Sequence, residues 1–145
     1  MTVSLISLCR TCLLAAAIAM LPIACSDPVE PHGDVAAAYV DWLRGNYSDY
    51  VFDISTAWSM TPRSPYYRVR VEGDSVVSAT DENGDRSRSA ATIDDVWRWI
   101  LTAHEAGELN SARFDRRGVP LEVDMGDRAR DGGGAVWIRS FEPAT

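Results

Sequence analysis

The chain contains no lysine, and none of its three cysteines lies beyond residue 25. The body from Ser26 onward therefore cannot form an internal disulfide, and its stability has to come from packing. Histidine is scarce as well, with two residues in 145. Because a protein zinc site needs several suitable ligands, usually cysteine or histidine, this composition argues against a zinc centre.

Bases are outnumbered by acids. Beyond residue 24 there are 13 arginines and 21 acidic residues, which gives a formal charge of −8. An acidic surface repels phosphate backbones and anionic lipid headgroups. We therefore expect no nucleic-acid partner, and contact with a membrane has to arise from something other than a basic face.

The first 24 residues differ from the rest of the chain. They contain no acid, one base at Arg10, and a 12-residue apolar run from Leu13 to Ala24. As a helix, such a run spans roughly 18 Å, well short of the ~30 Å hydrocarbon core of a bilayer. A short apolar segment that ends in small residues is typical of an export signal. We predict that residues 1–24 are a signal peptide and that the mature protein is exported.

The signal ends in Leu21-Pro22-Ile23-Ala24-Cys25, which resembles the lipobox of bacterial lipoproteins. The resemblance implies that the Cys25 thiol receives a diacylglycerol and that this residue becomes the new N-terminus. Two or three acyl chains there would anchor the protein stably in a membrane of the cell envelope. Pro22 departs from the motif, in which leucine is usual. The alternative is ordinary cleavage after Ala17–Ala19, which leaves a free thiol and a secreted or soluble periplasmic protein.

Residues 25–33 form a predicted tether. Ser26–Gly33 contains two prolines and a glycine, shows no periodicity, and reaches at most about 27 Å when extended. His32 lies in this segment, and we expect it to be solvated. The remaining residues, 34–145, have the length of a single domain.

Two segments of this domain have the apolar period of a helix. Asp34 caps the first, and Gly45 is positioned to end it. Its apolar positions are Val35, Ala38, Tyr39, Trp42 and Leu43. Thr92 and Asp95 match a capping box at the start of the second, which Gly107 ends. Its stripe is Ile93, Val96, Trp97, Ile100, Leu101 and His104.

The remaining segments alternate apolar and polar residues, as half-buried strands do. The predicted strands are Tyr50–Ser55, Tyr66–Val71, Val76–Thr80, Ala112–Asp115, Leu121–Met125 and Ala135–Phe141. In the last of these, Trp137 and Phe141 share one face and Val136 and Ile138 the other. The order is α-β-β-β-α-β-β-β, and runs of adjacent strands favour antiparallel pairing. We predict an α+β fold with the two helices packed on one face of an antiparallel sheet.

The same spacing resembles a family of bacterial secreted proteins and lipoproteins known as domain of unknown function 6174. The residues that carry the resemblance lie between Val35 and Glu142. They are Trp42, Tyr50–Phe52, Val69–Val77, Thr92–Asp94, Phe114-Asp115, Gly118–Pro120 and Asp131. Many members carry a Cys-x-Cys pair after the first strand, which this chain lacks near Ala57–Met60. The resemblance implies an exported α+β domain and names no activity.

Two tryptophans are candidates for a binding surface. Trp99 lies about 140° from the centre of its helix's apolar stripe, so the helix by itself does not bury it. Trp58 follows the first strand, beside a loop that contains two prolines. Exposed aromatic residues often mark recognition surfaces. The alternative is that a loop such as 81–91, or an arginine such as Arg63 or Arg98, covers them.

His104, the one histidine of the domain, lies in the apolar stripe of the second helix. We interpret it as a hydrogen-bonded, half-buried core residue. The sequence has no Gly-x-Ser-x-Gly motif and no lysine that could act as a base. A carboxylate pair for glycoside hydrolysis is not identifiable among 21 acids, because its spacing is set in three dimensions. We therefore expect no enzyme activity and no cofactor.

Two acidic loops are weak metal candidates. Asp81, Asn83 and Asp85 have the spacing of the first three ligands of a calcium loop. Arg86, however, stands where that loop needs glycine, and Thr92 where it needs a bidentate glutamate. The second loop holds Asp124, Asp127 and Asp131. We interpret both as solvated turns.

Three functions follow from these observations. The first is a non-enzymatic envelope lipoprotein whose domain binds a protein or small ligand, for which we expect an aromatic patch near Trp99. The second is a structural or inhibitory module that pairs through a sheet edge. The third is a calcium-binding or hydrolytic domain, for which a pocket with convergent aspartate or histidine side chains is expected.

Overall fold

A computed structural model describes residues 34–59, 61–87, 90–127 and 132–144. The predicted signal peptide, Cys25 and the tether lie outside the described residues. The elements in chain order are α1 (Val35–Gly45), β1 (Tyr50–Trp58), β2 (Tyr67–Glu72), β3 (Ser75–Thr80), α2 (Ile93–Ala106), β4 (Leu109–Phe114), β5 (Pro120–Met125) and β6 (Gly134–Pro143).

The six strands form one antiparallel sheet in the order β3-β2-β1-β6-β5-β4. The predicted α+β class with antiparallel pairing is therefore confirmed. Several strands extend beyond their predicted bounds, because backbone pairing continues after apolar alternation has ended. Trp58 is the last residue of β1 rather than part of the following loop, and β4 begins at Leu109 rather than Ala112.

Both helices contact Tyr50, a fully buried residue at the start of β1. From α1, the Trp42 ring meets the Tyr50 ring edge-on, with 5.7 Å between centroids. From α2, the backbone N–H of Ile93 donates to the Tyr50 hydroxyl over 3.2 Å. Burial raises the pKa of Tyr50, so the hydroxyl stays protonated. The indole N–H of Trp42 also donates to Asp94 over 2.8 Å, which ties α1 directly to the first turn of α2.

The ends of α1 differ from the prediction in two respects. Asp34 caps the helix as expected, since its carboxylate accepts from two backbone N–H groups. Gly45 is not the stop, because it lies within the helix and Asn46 takes the left-handed conformation (φ 45°). A side chain at Gly45 would overlap the Tyr47 ring, so packing is what requires glycine here. Leu43 was predicted to be buried but is 54% exposed, because α1 buries a narrower stripe than its apolar pattern indicates.

An irregularity in β6 changes which aromatic residue reaches the core. Val51 pairs with Glu142 and Asp53 with Arg139, so β6 has one residue more than β1 across this interval. The extra residue, near Ser140 (φ 58°), reverses the alternation. Phe141 therefore joins Val136 and Ile138 in the core cluster, whereas Trp137 does not. The predicted shared face of Trp137 and Phe141 is wrong for this reason.

Candidate functional site

A cleft of about 750 Å³ lies between the C-terminal half of α2 and the end of the sheet where β1 finishes. This volume is within the range of small-molecule sites, roughly 300 to 1,000 Å³. Trp99 and Ala103 of α2 line one side. Ile54 and Trp58 of β1 and Tyr67 of β2 line the side formed by the sheet. Apolar and aromatic groups thus make up most of the described lining along these elements.

The cleft brings together the two tryptophans that the sequence singled out. The Trp58 and Trp99 rings meet edge to face, with 5.1 Å between centroids and 89° between planes. Trp58 is 39% exposed, and Trp99 is partly buried against the core. Trp58 packs against Trp99, whereas the Arg63 guanidinium lies over the Tyr66 and Trp137 rings and that of Arg98 pairs with Asp95. Such a T-shaped pair is a favourable aromatic arrangement and presents indole surface to the cleft.

Gly134 sets the position of Trp58. It is the first residue of β6 and pairs with Trp58 across the two strands. An added Cβ at Gly134 would overlap the Trp58 indole. The backbone of Gly134 is not in the left-handed region, so the constraint is the space occupied by the ring. The absence of a side chain here allows the indole to lie across the neighbouring strand.

Arg86 and Glu108 are the two charged residues in the described lining of the cleft. Arg86 belongs to the segment beyond β3, where it pairs with Thr80, and Ser87 N–H donates to the Ala79 carbonyl over 3.0 Å. Glu108 follows α2 on the β4 and β5 side, and its carbonyl accepts from Gly126 N–H over 2.7 Å. The two charges therefore enter the cleft from opposite ends of the strand order.

The hydroxyl groups of Ser64 and Thr102 in the cleft lining are already engaged. The Ser64 hydroxyl accepts from Thr56 N–H over 2.9 Å and donates to the Pro65 carbonyl over 3.0 Å. Thr102 donates to the Arg98 carbonyl one turn earlier in α2. These contacts fix the loop after β1 and the flank of α2. Arg86 is the one cationic hydrogen-bond donor in the described lining.

His104 does not take part in this site. It was predicted to be a half-buried core residue, but it is exposed in the last turn of α2. Its position on the helix matches the buried stripe, yet Ala103 is the last buried residue of α2. Periodicity identifies the face of a helix and not the point at which its neighbours end, so the prediction is wrong at this residue.

The acidic loops use their carboxylates locally. One oxygen of Asp81 accepts from the N–H groups of Asn83 and Asp85, each over 2.9 Å, which closes a turn. Asp124 accepts from the Asn110 amide over 3.0 Å. Asp131 of the second loop lies outside the described residues. In the described part of the chain, no group of three or more acidic, histidine or cysteine side chains is arranged to hold a metal ion.

Trp137 lies on the face of the sheet that points away from the helices, called here the open face. The Arg63 guanidinium lies over its ring at 4.0 Å, and Arg139 lies over the Tyr66 ring at 3.8 Å. Asp53 pairs with Arg139, and also with Arg68, at 3.4 Å each. Stacked arginines and cross-strand ion pairs thus cover this face.

Sequence reasoning identified Trp58 and Trp99 but not the residues that complete the cleft. The sequence pattern marked Arg86 only as a departure from a calcium-loop motif, and it did not single out Gly134. Tyr67 was predicted only as part of a strand, and Glu108 was not singled out. The contribution of all four depends on the crossing of α2 over the sheet, which the sequence does not specify.

Comparison with protein-family models, curated proteins and solved structures found no match. Neither helix of the described part of the chain has the length and hydropathy needed to cross a bilayer.

Proposed function

We propose that this protein is a membrane-anchored envelope lipoprotein whose α+β domain binds a small, largely apolar ligand without catalysis. The observation that carries the proposal is the cleft in which Trp58 and Trp99 meet. The two indoles lie in contact and line this mostly apolar cleft. Concave, mostly apolar sites with a few polar groups are the usual form of small-ligand sites.

The chemistry of the lining supports binding over hydrolysis or calcium coordination. The described lining holds one acid, Glu108, and no histidine or aspartate. General acid–base catalysis and calcium coordination both rely on convergent groups of that kind. The Asp81 carboxylate is engaged in its own turn. The aromatic character of the cleft therefore favours the binding hypothesis.

The β3 edge of the sheet offers less support for a module that pairs through its sheet. At β3, the Arg86 segment bridges to Thr80 on the outer side, and Ser87 N–H bonds to Ala79. This edge is thus partly covered by the protein's own chain, as protected edges are. An incoming strand would have to displace that segment before it could pair along the whole of β3.

The anchor in this proposal rests on the lipobox-like segment Leu21–Cys25. The first helix is capped at Asp34, nine residues after Cys25. A tether of this length would hold the domain close to the membrane surface while leaving the cleft accessible. Apolar and amphiphilic molecules partition to such surfaces, which is where a binding protein of this kind would encounter them.

Binding of the neutral fluorescent probe N-phenyl-1-naphthylamine tests the proposed function. The full chain carrying Cys25→Ser is used, so that the acyl chains of the anchor do not compete for the cleft. We expect saturable binding that weakens about fivefold to tenfold in Trp58→Ala and in Trp99→Ala, since each removes part of the aromatic surface.

The matched control is Trp137→Ala, which removes the tryptophan of the open face. It should leave probe affinity unchanged, with circular dichroism confirming that each variant is folded. Affinity that is unaffected by both cleft variants, or reduced equally by the control, would show that the probe binds elsewhere and would contradict the proposal.

A further inference from the structure

Arg86 is distinguished from the other arginines by its lack of a partner. In the described part of the chain, all others form an ion pair, a hydrogen bond or a ring contact. Examples are Arg98 with Asp95 and Arg113 with Glu122, and Arg116 too has a partner. Arg86 forms none through its side chain, although the protein is rich in acids, and it lines the cleft. Its guanidinium is therefore available to a ligand.

We propose that the cleft binds an amphiphilic carboxylic acid, with the carboxylate on Arg86 and an apolar chain against Trp58 and Trp99. This inference rests on the proposed function and adds the chemical class of the ligand. A guanidinium offers a planar pair of N–H donors that matches a carboxylate, and charge-assisted bonds of this kind are the stronger ones. Arg86 is the one cationic side chain in the described lining, so it is the group that an anionic head would meet.

Glu108 restricts the ligand further. It lies at the opposite end of the cleft from Arg86, where a second anionic group would be repelled. The protein's net charge of −7 also repels highly charged anions. A molecule with one carboxylate and an apolar remainder suits both ends of the cleft. Its carboxylate meets Arg86, and no second anionic group meets Glu108.

A cationic amphiphile is the main competitor, since indole faces and a glutamate attract cations. Arg86 would then lie in the same cleft as a like charge with no acidic partner to neutralise it. The cleft therefore fits an anionic amphiphile better than a cationic one, because the Arg86 guanidinium has no acidic partner although the protein is rich in acids. The experiment below distinguishes the two head charges directly.

The test is displacement of N-phenyl-1-naphthylamine by two competitors of matched chain length, decanoate and decyltrimethylammonium. In the full chain carrying Cys25→Ser, we expect decanoate to displace the probe at a lower concentration than decyltrimethylammonium does. Added salt should raise the decanoate concentration required, because it screens the ion pair with Arg86. Arg86→Gln should raise the decanoate concentration required by about tenfold. Direct titration of the probe into Arg86→Gln corrects the displacement constants for any change in probe affinity.

Two further variants establish that the effect is local. Arg113→Gln, on the open face, should not change decanoate displacement. Glu108→Gln should lower the decanoate concentration required for displacement by about twofold, because it removes a like charge from the cleft. The opposite signs expected for Arg86→Gln and Glu108→Gln are not produced by general loss of structure, and melting temperatures provide an independent check.

The possible failures are separable. If the probe binds in a tryptophan-dependent manner but decanoate displaces it equally from the wild-type and Arg86→Gln chains, the carboxylate inference is overturned and the proposed function stands. If decyltrimethylammonium is preferred, and Glu108→Gln abolishes that preference, the ligand is a cation. If the probe does not bind in the cleft at all, both proposals fail. If Arg86→Gln does not fold, the test uses the Cys25→Ser chain with Arg86 intact. Preference for decanoate over decyltrimethylammonium, weakened by added salt, then supports the proposal, and the absence of that preference overturns it.

Discussion

Gly134 and Trp58 show how a residue without a side chain helps to shape the candidate site. The two lie opposite each other on β6 and β1, and the indole occupies the space that a Cβ would take. Trp58 in turn contacts Trp99 on α2. A substitution at Gly134 therefore acts on the cleft mainly by displacing the Trp58 ring.

We predict that Gly134→Ala displaces the Trp58 indole. Because Trp58 is 39% exposed, the ring can move outward, and we expect a stability loss of about 1 kcal/mol, at the low end of overpacking costs. Near-ultraviolet circular dichroism should report loss of the Trp58–Trp99 contact, and affinity for N-phenyl-1-naphthylamine should fall.

Gly132→Ala is the matched control for that substitution. An added Cβ at Gly132 meets nothing within 4 Å, and its backbone is not in the left-handed region. It should leave the tryptophan spectrum and stability nearly unchanged. Equal effects of the two substitutions would mean that chain stiffness, rather than the indole, is responsible.

At the scale of elements, α2 is positioned by its first turn. The Thr92 hydroxyl accepts from Asp95 N–H over 3.1 Å, and the Asp95 carboxylate accepts from Thr92 N–H over 2.9 Å. Partial burial acts to raise the pKa of Asp95, but the bonds from Thr92 and the Arg98 guanidinium outweigh it and the pKa is lowered. The ionised carboxylate is thus the form that the folded helix stabilises.

We predict that Thr92→Ala costs about 1 kcal/mol of folding free energy at neutral pH, the usual value of a lost N-cap. Because the pKa of Asp95 is lower in the folded state, its contribution is complete above about pH 4 and is lost as pH falls through the lower, folded-state pKa. Urea unfolding at pH 7 and at pH 3 should show a smaller difference between wild type and variant in acid.

Thr102→Ala serves as the control within the same helix. Thr102 is exposed and bonds only to the preceding turn, so its removal should change stability by less than about 0.5 kcal/mol. A loss equal to that of Thr92→Ala would indicate that general helix propensity, and not the capping box, governs α2.

At the scale of the whole molecule, the two faces of the sheet have different environments. One face packs against both helices around Tyr50, Trp97 and Phe114, with the last two rings stacked at 5.0 Å. The open face is covered by arginine, acid and aromatic side chains in cross-strand contact. Apart from the cleft, the exposed large apolar residues are Val40, Leu43 and Val77 among the described positions.

We predict that membrane-extracted wild-type protein begins at an acylated Cys25, and that Cys25→Ser abolishes acylation. Intact-mass spectrometry measures both. Cys12→Ser is the control, since this cysteine lies in the segment that processing removes. Pro22→Leu, which restores the usual lipobox residue, should increase the processed fraction. An unacylated N-terminus at Met20 in the wild type would contradict the anchor.

Much of the fold could be predicted because it depends on local periodicity and turn chemistry. The capping box at Thr92 and the glycine end of α2 at Gly107 both occur as the sequence predicts. The errors lie where a neighbour decides the outcome. Leu43 and His104 are exposed because packing ends before their helices do, and Phe141 changes face because β6 contains an extra residue.

By itself, the sequence determined the α+β class, the lack of disulfides in the domain and the acidic charge. These depend on composition and on contacts between residues close in the chain. Only the tertiary structure decided that Trp58 meets Trp99 over Gly134, with Arg86 and Glu108 at opposite ends of the cleft. Those residues come from segments far apart in the chain, and the crossing of α2 over the sheet brings them together. Periodicity specifies which face of an element is apolar, whereas the shape of a cleft depends on how the faces of several elements meet.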